Sequence, residues 1–358
     1  MAACIAEYSM GIEPGMLVLL QTEPSGFPLV REVFRHALAL GAHPYTRTHY
    51  PDLDEILFTE GTDEQVGFVS ELTLAEIERI DARLVVRAPD NLSALASVKP
   101  ERLGLARRAQ SKVMERIFAR KASGALHLCL TQYPTDASAQ QAGMSLADYE
   151  AFVFRACFCD RPDPVAAWRE LSGTQERYVD LLSTVKELKF ESADADLTLS
   201  VAGRKWVNSD GKANFPSGEV FTGPVEDSAR GRIRFDIPAI HSGRPVSGIE
   251  IEFENGRVKA ARAERGDVLL QSLLDTDAGS RLLGEVAFGL NYGIDRATGN
   301  ILFDEKIGGT IHMAVGSGYP ETGSKNKSGL HWDMIKDMKQ GRVYADGSVI
   351  YENGKFIE

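Results

Sequence analysis

"MLVLLQTEPSGFPLVREVFRHALALGA" (residues 16–42) opens with a short apolar run over 16–23, and from residue 26 its apolar side chains recur at helical spacing up to Gly41. A strand followed by a helix that stops on glycine is the elementary unit of an α/β layer. The alternation continues downstream. "ARLVVRAP" (82–89) and "ALHLCLTQYP" (125–134) are further apolar runs ending at proline, with helical stretches between them. Strands separated by helices predict a parallel sheet. No G-x-G-x-x-G or Walker pattern follows the first strand, so nucleotide binding has no support. The polar stretch "HPYTRTHYPDLDE" (43–55) reads as a loop after the second strand.

Further along, a helical region spans about 145–186, with a break at Pro162 and Pro164 where a second helix should start. After it the texture changes to alternating β-type residues, as in "ELKFESADADLTLSV", "GRIRFDI" and "VSGIEIEFENGRVKAARAE". Asn-Gly at 255 and 353 and Asp-Gly at 346 are hairpin signals. The fold class expected is α/β: a parallel-sheet N-terminal α/β domain with linking helices over 1–186, then a β-rich α+β domain over 187–358 carrying the site.

Composition narrows the function. The chain has 358 residues, 43% hydrophobic and 25% charged, which suits a large folded core. Its net charge of −11 argues against nucleic acid and anionic membrane surfaces as partners. The locally basic "RLGLARRAQSKVMERIFARK" (102–121) is interrupted by apolar residues at helical spacing and reads as the solvated face of an amphipathic helix. The first twenty residues show neither a basic leader nor a membrane-length apolar run, and a cytoplasmic location is the simplest expectation. Cys4, Cys129, Cys157 and Cys159 do not make a disulfide framework, and Cys157-x-Cys159 lacks a second ligand pair nearby. Buried free thiols are expected.

Chemistry concentrates late in the chain. "GTIHMAVGSGYPETGSKNKSGLHWDM" (309–334) holds two of the seven histidines, His312 and His331, and places Asp333 two residues after the second. On an extended segment H-x-D puts both side chains on one face, where one divalent cation can use both; the alternative is an aspartate that only orients its histidine. Glu219, in "NFPSGEVFTGP" (214–224), stands where a glycine turn enters a strand. Glu285 lies in "TDAGSRLLGEVAFGL" (276–290), which reads as a helix that surrounds it with apolar neighbours. A carboxylate there needs a strong partner, either a metal or an arginine such as Arg281. Glu219, Glu285, His312, His331 and Asp333 together offer oxygen and nitrogen donors without thiolate, a set suited to zinc, manganese or cobalt in an open catalytic site. Three carboxylates in one cleft repel one another unless cations neutralise them, and a pair of divalent ions about 3.5–4 Å apart is a standard hydrolytic device.

"GEVFTGP", "LLDTDAGSRLLGEVAFG", "LFDEKIGGTIHMAVGSGYP" and "HWDM", in that order, resemble the active-site segments of the aminopeptidase T and aminopeptidase S family of metallopeptidases. The linking helices resemble the family as well, over "PTDASAQQAGMSLADYEAFVFRACFCDRPDPVAAW" (134–168). The resemblance implies two divalent metals (zinc, cobalt or manganese) held by Glu219, Glu285, His312, His331 and Asp333, with Tyr319 as the catalytic tyrosine. It also implies a homodimer with an enclosed cavity, and hydrolysis of the N-terminal bond of small peptides through a water bridging the two cations. Glu219 or Glu285 would then shuttle a proton to the leaving amine. The stretch from Tyr319 to His331 is short for such a peptidase, which implies a trimmed loop at the site. Two other classes remain open. A ring-cleaving dihydroxypyridine dioxygenase on a related scaffold would use His312, His331 and Asp333 for one ferrous ion. A binding protein would keep the scaffold without turnover.

Overall fold

Leu17–Thr22 (β1), His43–Thr48 (β2), Ala82–Arg87 (β3) and His127–Gln132 (β4) form a parallel sheet in the order β2-β1-β3-β4, with Asn214–Phe215 added beside β4. The computed structural model describes residues 1–241 and 243–357. Parallel pairing follows from the sequence pattern. Each strand is joined to the next through helical crossovers, and Val18, Leu19 and Leu20 bury β1 on both of its faces. The helix over Phe27–Ala39 turns Leu29, Val30, Val33 and Ala37 inward. The basic helix, Pro100–Ala122, buries only Val113 and Ile117, and most of its lysines and arginines form a solvated face, while Arg102 and Arg120 bond neighbouring backbone carbonyls. One expectation fails here: residues 43–55 are not a loop but strand β2 followed by the helix Pro51–Glu60. At the sheet edge β2 is half-buried or exposed throughout, so it carries no apolar run to betray it.

The chain divides into two compact units, Met1–Phe154 with Gly211–Phe215, and Arg155–Asp210 with the chain from Pro216 onward. Residue 186, where composition changes, therefore lies inside the second unit, because the helix Pro164–Ser183 packs on strands of that unit. The proline break before it occurs as expected. Pro164 sits in the first turn and the Asp163 carboxylate accepts the Ala166 N–H at 2.9 Å.

Besides a two-stranded ribbon of Ala239–His241 and Arg244–Val246, the described residues of the second unit form two larger antiparallel sheets. One has eight strands, among them Glu187–Ser192, Ala195–Ser200, Arg230–Arg234, Glu250–Glu254 and Arg257–Arg262. Its hairpins turn where the sequence says. Asn255-Gly256, Asp346-Gly347 and Asn353-Gly354 all take positive φ at both residues, the backbone of a type I′ turn. The other sheet has five strands: Val207–Ser209 (β5), Glu219–Thr222 (β6), Leu283–Gly289 (β7), Thr310–Gly316 (β8) and His331–Asp337 (β9), in the order β9-β8-β7-β6-β5. Leu188, Phe190, Leu197, Ile233 and Ile251 of the first sheet share one core with Val220, Val286, Phe288, Ile311, Met313 and Met334 of the second. Phe288 lies at its centre, with ring centroids of Phe356 and Tyr351 at 4.9 and 5.3 Å.

At the margin of this core, Lys336 is buried and its ammonium meets Asp194 Oδ1 at 2.7 Å and Asp236 Oδ2 at 3.2 Å. Desolvation pushes the Asp194 carboxyl up, but the bonds from Lys336 and Ser192 outweigh it and hold the group below its ordinary 3.8. A depressed carboxyl contributes stability that is present above the unfolded value and lost as pH falls through the folded one. Denaturant titrations below pH 4 should therefore show Asp194→Asn losing less stability on acidification than the parent chain. Parallel curves would refute this.

Candidate metal centre

Strand register decides where the acids and histidines go. In the five-stranded sheet Glu219 pairs with Gly289, Glu285 with Ala314, His312 with Ala287, Asp333 with Ala314, and His331 with Gly316. Directly paired residues project to the same face and alternate residues along a strand do likewise. All five candidate residues therefore emerge on one face of one sheet, while Val220, Val286, Phe288, Met313 and Met334 face the core. Alanine at 287 and 314 leaves room among the larger polar side chains.

The segment around Glu285 corrects the sequence reading: it is strand β7, not a helix. All seven residues of β7 are buried, so the alternation that marks a half-buried strand is missing. The pairing with β8 slips by one residue between Leu283 and Glu285, a bulge at Gly284 that re-aims the carboxylate. A Cβ at Gly284 would collide with Gly316 O and lie 2.6 Å from Ser317 O, so no larger residue fits the bulge. The arginine alternative falls away as well, since Arg281 binds Asp275 at 2.7 Å.

The polar atoms converge. His312 Nε2 lies 3.4 Å from Glu219 Oε2 and 3.5 Å from Glu285 Oε1; His331 Nε2 lies 3.2 Å from Glu285 Oε2 and 3.6 Å from Asp333 Oδ1. Glu285 thus offers one oxygen to each imidazole. The other His331 nitrogen, Nδ1, stands 2.7 Å from the Ser317 carbonyl. A carbonyl only accepts, so Nδ1 carries the proton and Nε2 is turned to the acids. Two groups of ligand atoms have metal-binding spacing, each within 4.8 Å: Glu285, His331 and Asp333, and Glu305, His312 and Asp333. Asp333 belongs to both. Glu219 belongs to neither, and instead meets His312 and the buried Lys306, whose ammonium is 3.2 Å from Oε1.

Glu305 and Lys306 did not stand out in the sequence. "DEK" (304–306) has the look of a solvated charge run, yet Lys306 is fully buried and pairs with Glu305 as well as Glu219. The only textual hint is that apolar Phe303 and Ile307 flank the charges.

Charge shows what this pocket accepts. Burial alone would lower His331, but Asp333 and Glu285 raise it to about 11, and His331 in turn draws Asp333 down to about 2. His312 is raised too, burial being outweighed by Glu285 and Glu219. Glu219 Oε2 and His312 Nδ1 are buried without a hydrogen bond. Four carboxylates are met here by one buried lysine and by two imidazoles whose protonation they favour, and oxygen and nitrogen donors at this spacing suit divalent cations. The cysteines lie elsewhere and form no disulfide, Cys159 being half-buried and the others buried.

Tyr319 follows β8 and packs against Phe221 and His331, with ring centroids at 5.3 and 5.1 Å. Although 41% of the residue is open to solvent, desolvation of the phenol and then the charges of Glu285, Asp333 and Glu219 push its pKa well above 10. A phenol so placed stays protonated and donates. Among the described residues no helix is long and apolar enough to cross a membrane.

Comparison with known proteins agrees with this geometry. Aminopeptidase 2 of Geobacillus stearothermophilus is 30% identical over 375 residues, covering 96% of this chain and 89% of that protein. Aminopeptidase T of Thermus aquaticus is 31% identical over 267 residues, 69% of this chain and 65% of its own. The solved structure of wild-type AmpT from Thermus thermophilus matches with a TM-score of 0.88 over 100% of this chain and 98% of that one; at 24% identity this likeness concerns the fold. A sequence model of the thermophilic metalloprotease family (M29) matches residues 1–356, and this chain belongs to that family.

Proposed function

We propose that this protein is a metal-dependent aminopeptidase that removes the N-terminal residue from small peptides. The observation that carries the reading is the sharing of Asp333 between two ligand groups, with Glu285 reaching both histidines. The ligands proposed are Glu219, Glu285, His312, His331 and Asp333, with Glu305 on the His312 side. Two divalent ions (zinc, cobalt or manganese) held by these residues would supply a water of lowered pKa and polarise the scissile carbonyl.

The chain's own groups do the rest. Tyr319, held protonated, donates a hydrogen bond to the carbonyl oxygen as negative charge develops there. Glu219, whose Oε2 has no hydrogen bond, or Glu285 carries the proton to the leaving amine. The excess of carboxylates attracts the ammonium group of a free N-terminus. The four cysteines without a disulfide support a reducing, cytoplasmic setting, and the family resemblance supports a homodimer.

The one-iron dioxygenase reading has weaker support, because His312, His331 and Asp333 do not stand alone: Glu285 and Glu305 are drawn into the same atoms' reach. Metal-depleted protein reloaded with zinc, cobalt or manganese should release only the first residue from a panel of dipeptides and aminoacyl amides, and should spare N-acetylated substrates. Metal analysis should give about two divalent ions per chain. No release from any substrate, or one iron per chain with oxygen uptake, would end the proposal.

A further inference from the structure

Tyr319 lies on the connection between β8 and β9, residues 317–330, whose one regular element is a short 3-10 turn over Pro320–Thr322. A hydroxyl that must meet a developing charge needs a fixed backbone, and this connection obtains one from side-chain hydrogen bonds. Two sets of anchors act at its two ends. On the His331 side, Asn326 Nδ2 donates to Gly316 O at 2.5 Å and Gly279 O at 2.9 Å, and Asp277 accepts the Gly329 N–H at 2.6 Å. On the Tyr319 side the anchor is an ion pair. Arg204 Nη2 binds Glu226 Oε2 at 2.6 Å, Arg204 Nη1 donates to the Gly323 carbonyl, and Glu226 Oε1 accepts the Lys325 N–H at 2.6 Å.

The pair therefore grips the backbone on both sides of Ser324. Its hold passes to the tyrosine through a short relay. Lys205 N, next to Arg204, donates to Thr322 O at 3.0 Å, and Thr322 donates to Tyr319 O from both N at 3.0 Å and Oγ1 at 2.7 Å. Lys205 O in turn accepts from Thr222 Oγ1 on β6 at 2.8 Å, which ties the anchor to the strand that begins with Glu219. The Arg204 side chain is only 8% exposed. An ion pair whose arginine is so withdrawn from water, with both partners bonded to loop backbone, holds one geometry rather than wandering as a surface pair does.

We propose that Arg204 and Glu226 are positioning residues that set the Tyr319 hydroxyl over the metal centre. The proposal rests on the aminopeptidase reading for its catalytic consequence, while its mechanical content stands separately. Misplacing a reacting group by about 1 Å costs up to about 100-fold in rate. Arg204→Met and Glu226→Gln should each lower kcat about 10- to 100-fold with KM and metal content nearly constant. Arg204→Lys should fall between, since an ammonium keeps the charge but not the fork. In a Tyr319→Phe background the same substitutions should change kcat by no more than about twofold, because the group they position has gone. Amide exchange over 319–325 should quicken in both variants, with β8 unaffected. Equal kcat losses in the two backgrounds, or exchange over 319–325 unchanged from the parent, would overturn the proposal. A parent chain inactive on every substrate would remove the aminopeptidase reading, and exchange would still decide whether the clamp exists.

Discussion

Tyr319→Phe should lower kcat about 100- to 1,000-fold, the cost of deleting one oxyanion donor, or about 3–4 kcal/mol of transition-state stabilisation. The substitution removes one oxygen and leaves the ring, so the packing on Phe221 and His331 persists. KM and bound metal should therefore stay near parental values, which separates a lost donor from a damaged site. The phenol is a dependable donor because burial and the acids around it keep it protonated. Steady-state kinetics on an aminoacyl amide, paired with metal analysis of the same preparation, gives the answer. A variant with parental kcat would show that the hydroxyl plays no part.

The second large effect concerns Lys306. Its ammonium is the fixed cation that meets Glu219 and Glu305 inside the sheet face, and it engages Glu219 Oε1 while Oε2 turns toward His312. Removing one partner of a buried ion pair leaves the other uncompensated and costs about 3–5 kcal/mol. Lys306→Met, close in volume, should destabilise the metal-free chain by that amount in denaturant titration. Saturating zinc or cobalt should recover part of the loss, since added cations bind the folded state and relieve the same repulsion. Lys306→Arg, which keeps the charge, should lose less. If Lys306→Met matched the parent without metal, the lysine would have no such role.

Much of this molecule can be read in its text, for definable reasons. The parallel sheet declares itself because β1, β3 and β4 are apolar runs bounded by proline and alternating with amphipathic helices. The hairpins do so because a type I′ turn needs residues that tolerate positive φ, which Asn-Gly and Asp-Gly supply. H-x-D was informative because strands repeat every two residues, and β9 does place His331 and Asp333 on one face.

Failures also have physical causes. Strand β7 resembled a helix because burial on both faces erases the period of two, although Gly284 and Gly289 are poor helix residues and argued otherwise. Strand β2 was hidden by its polar composition at a sheet edge. Glu305 and Lys306 were passed over because local sequence cannot distinguish a charge cluster in water from one folded inward, and tertiary contacts alone make that choice. Arg204 and Glu226 had no local signature whatever, for the loop backbone they hold lies about a hundred residues away.

Building the centre on a single antiparallel face ties its assembly to the pairing of the strands. Were β8 to pair one residue out of step, His312 would exchange places with Met313, turning an imidazole into the oily interior and a thioether toward the acids. No partly formed version of this site can exist on a mis-stitched sheet. Catalytic competence and correct lacing are thus acquired in the same event.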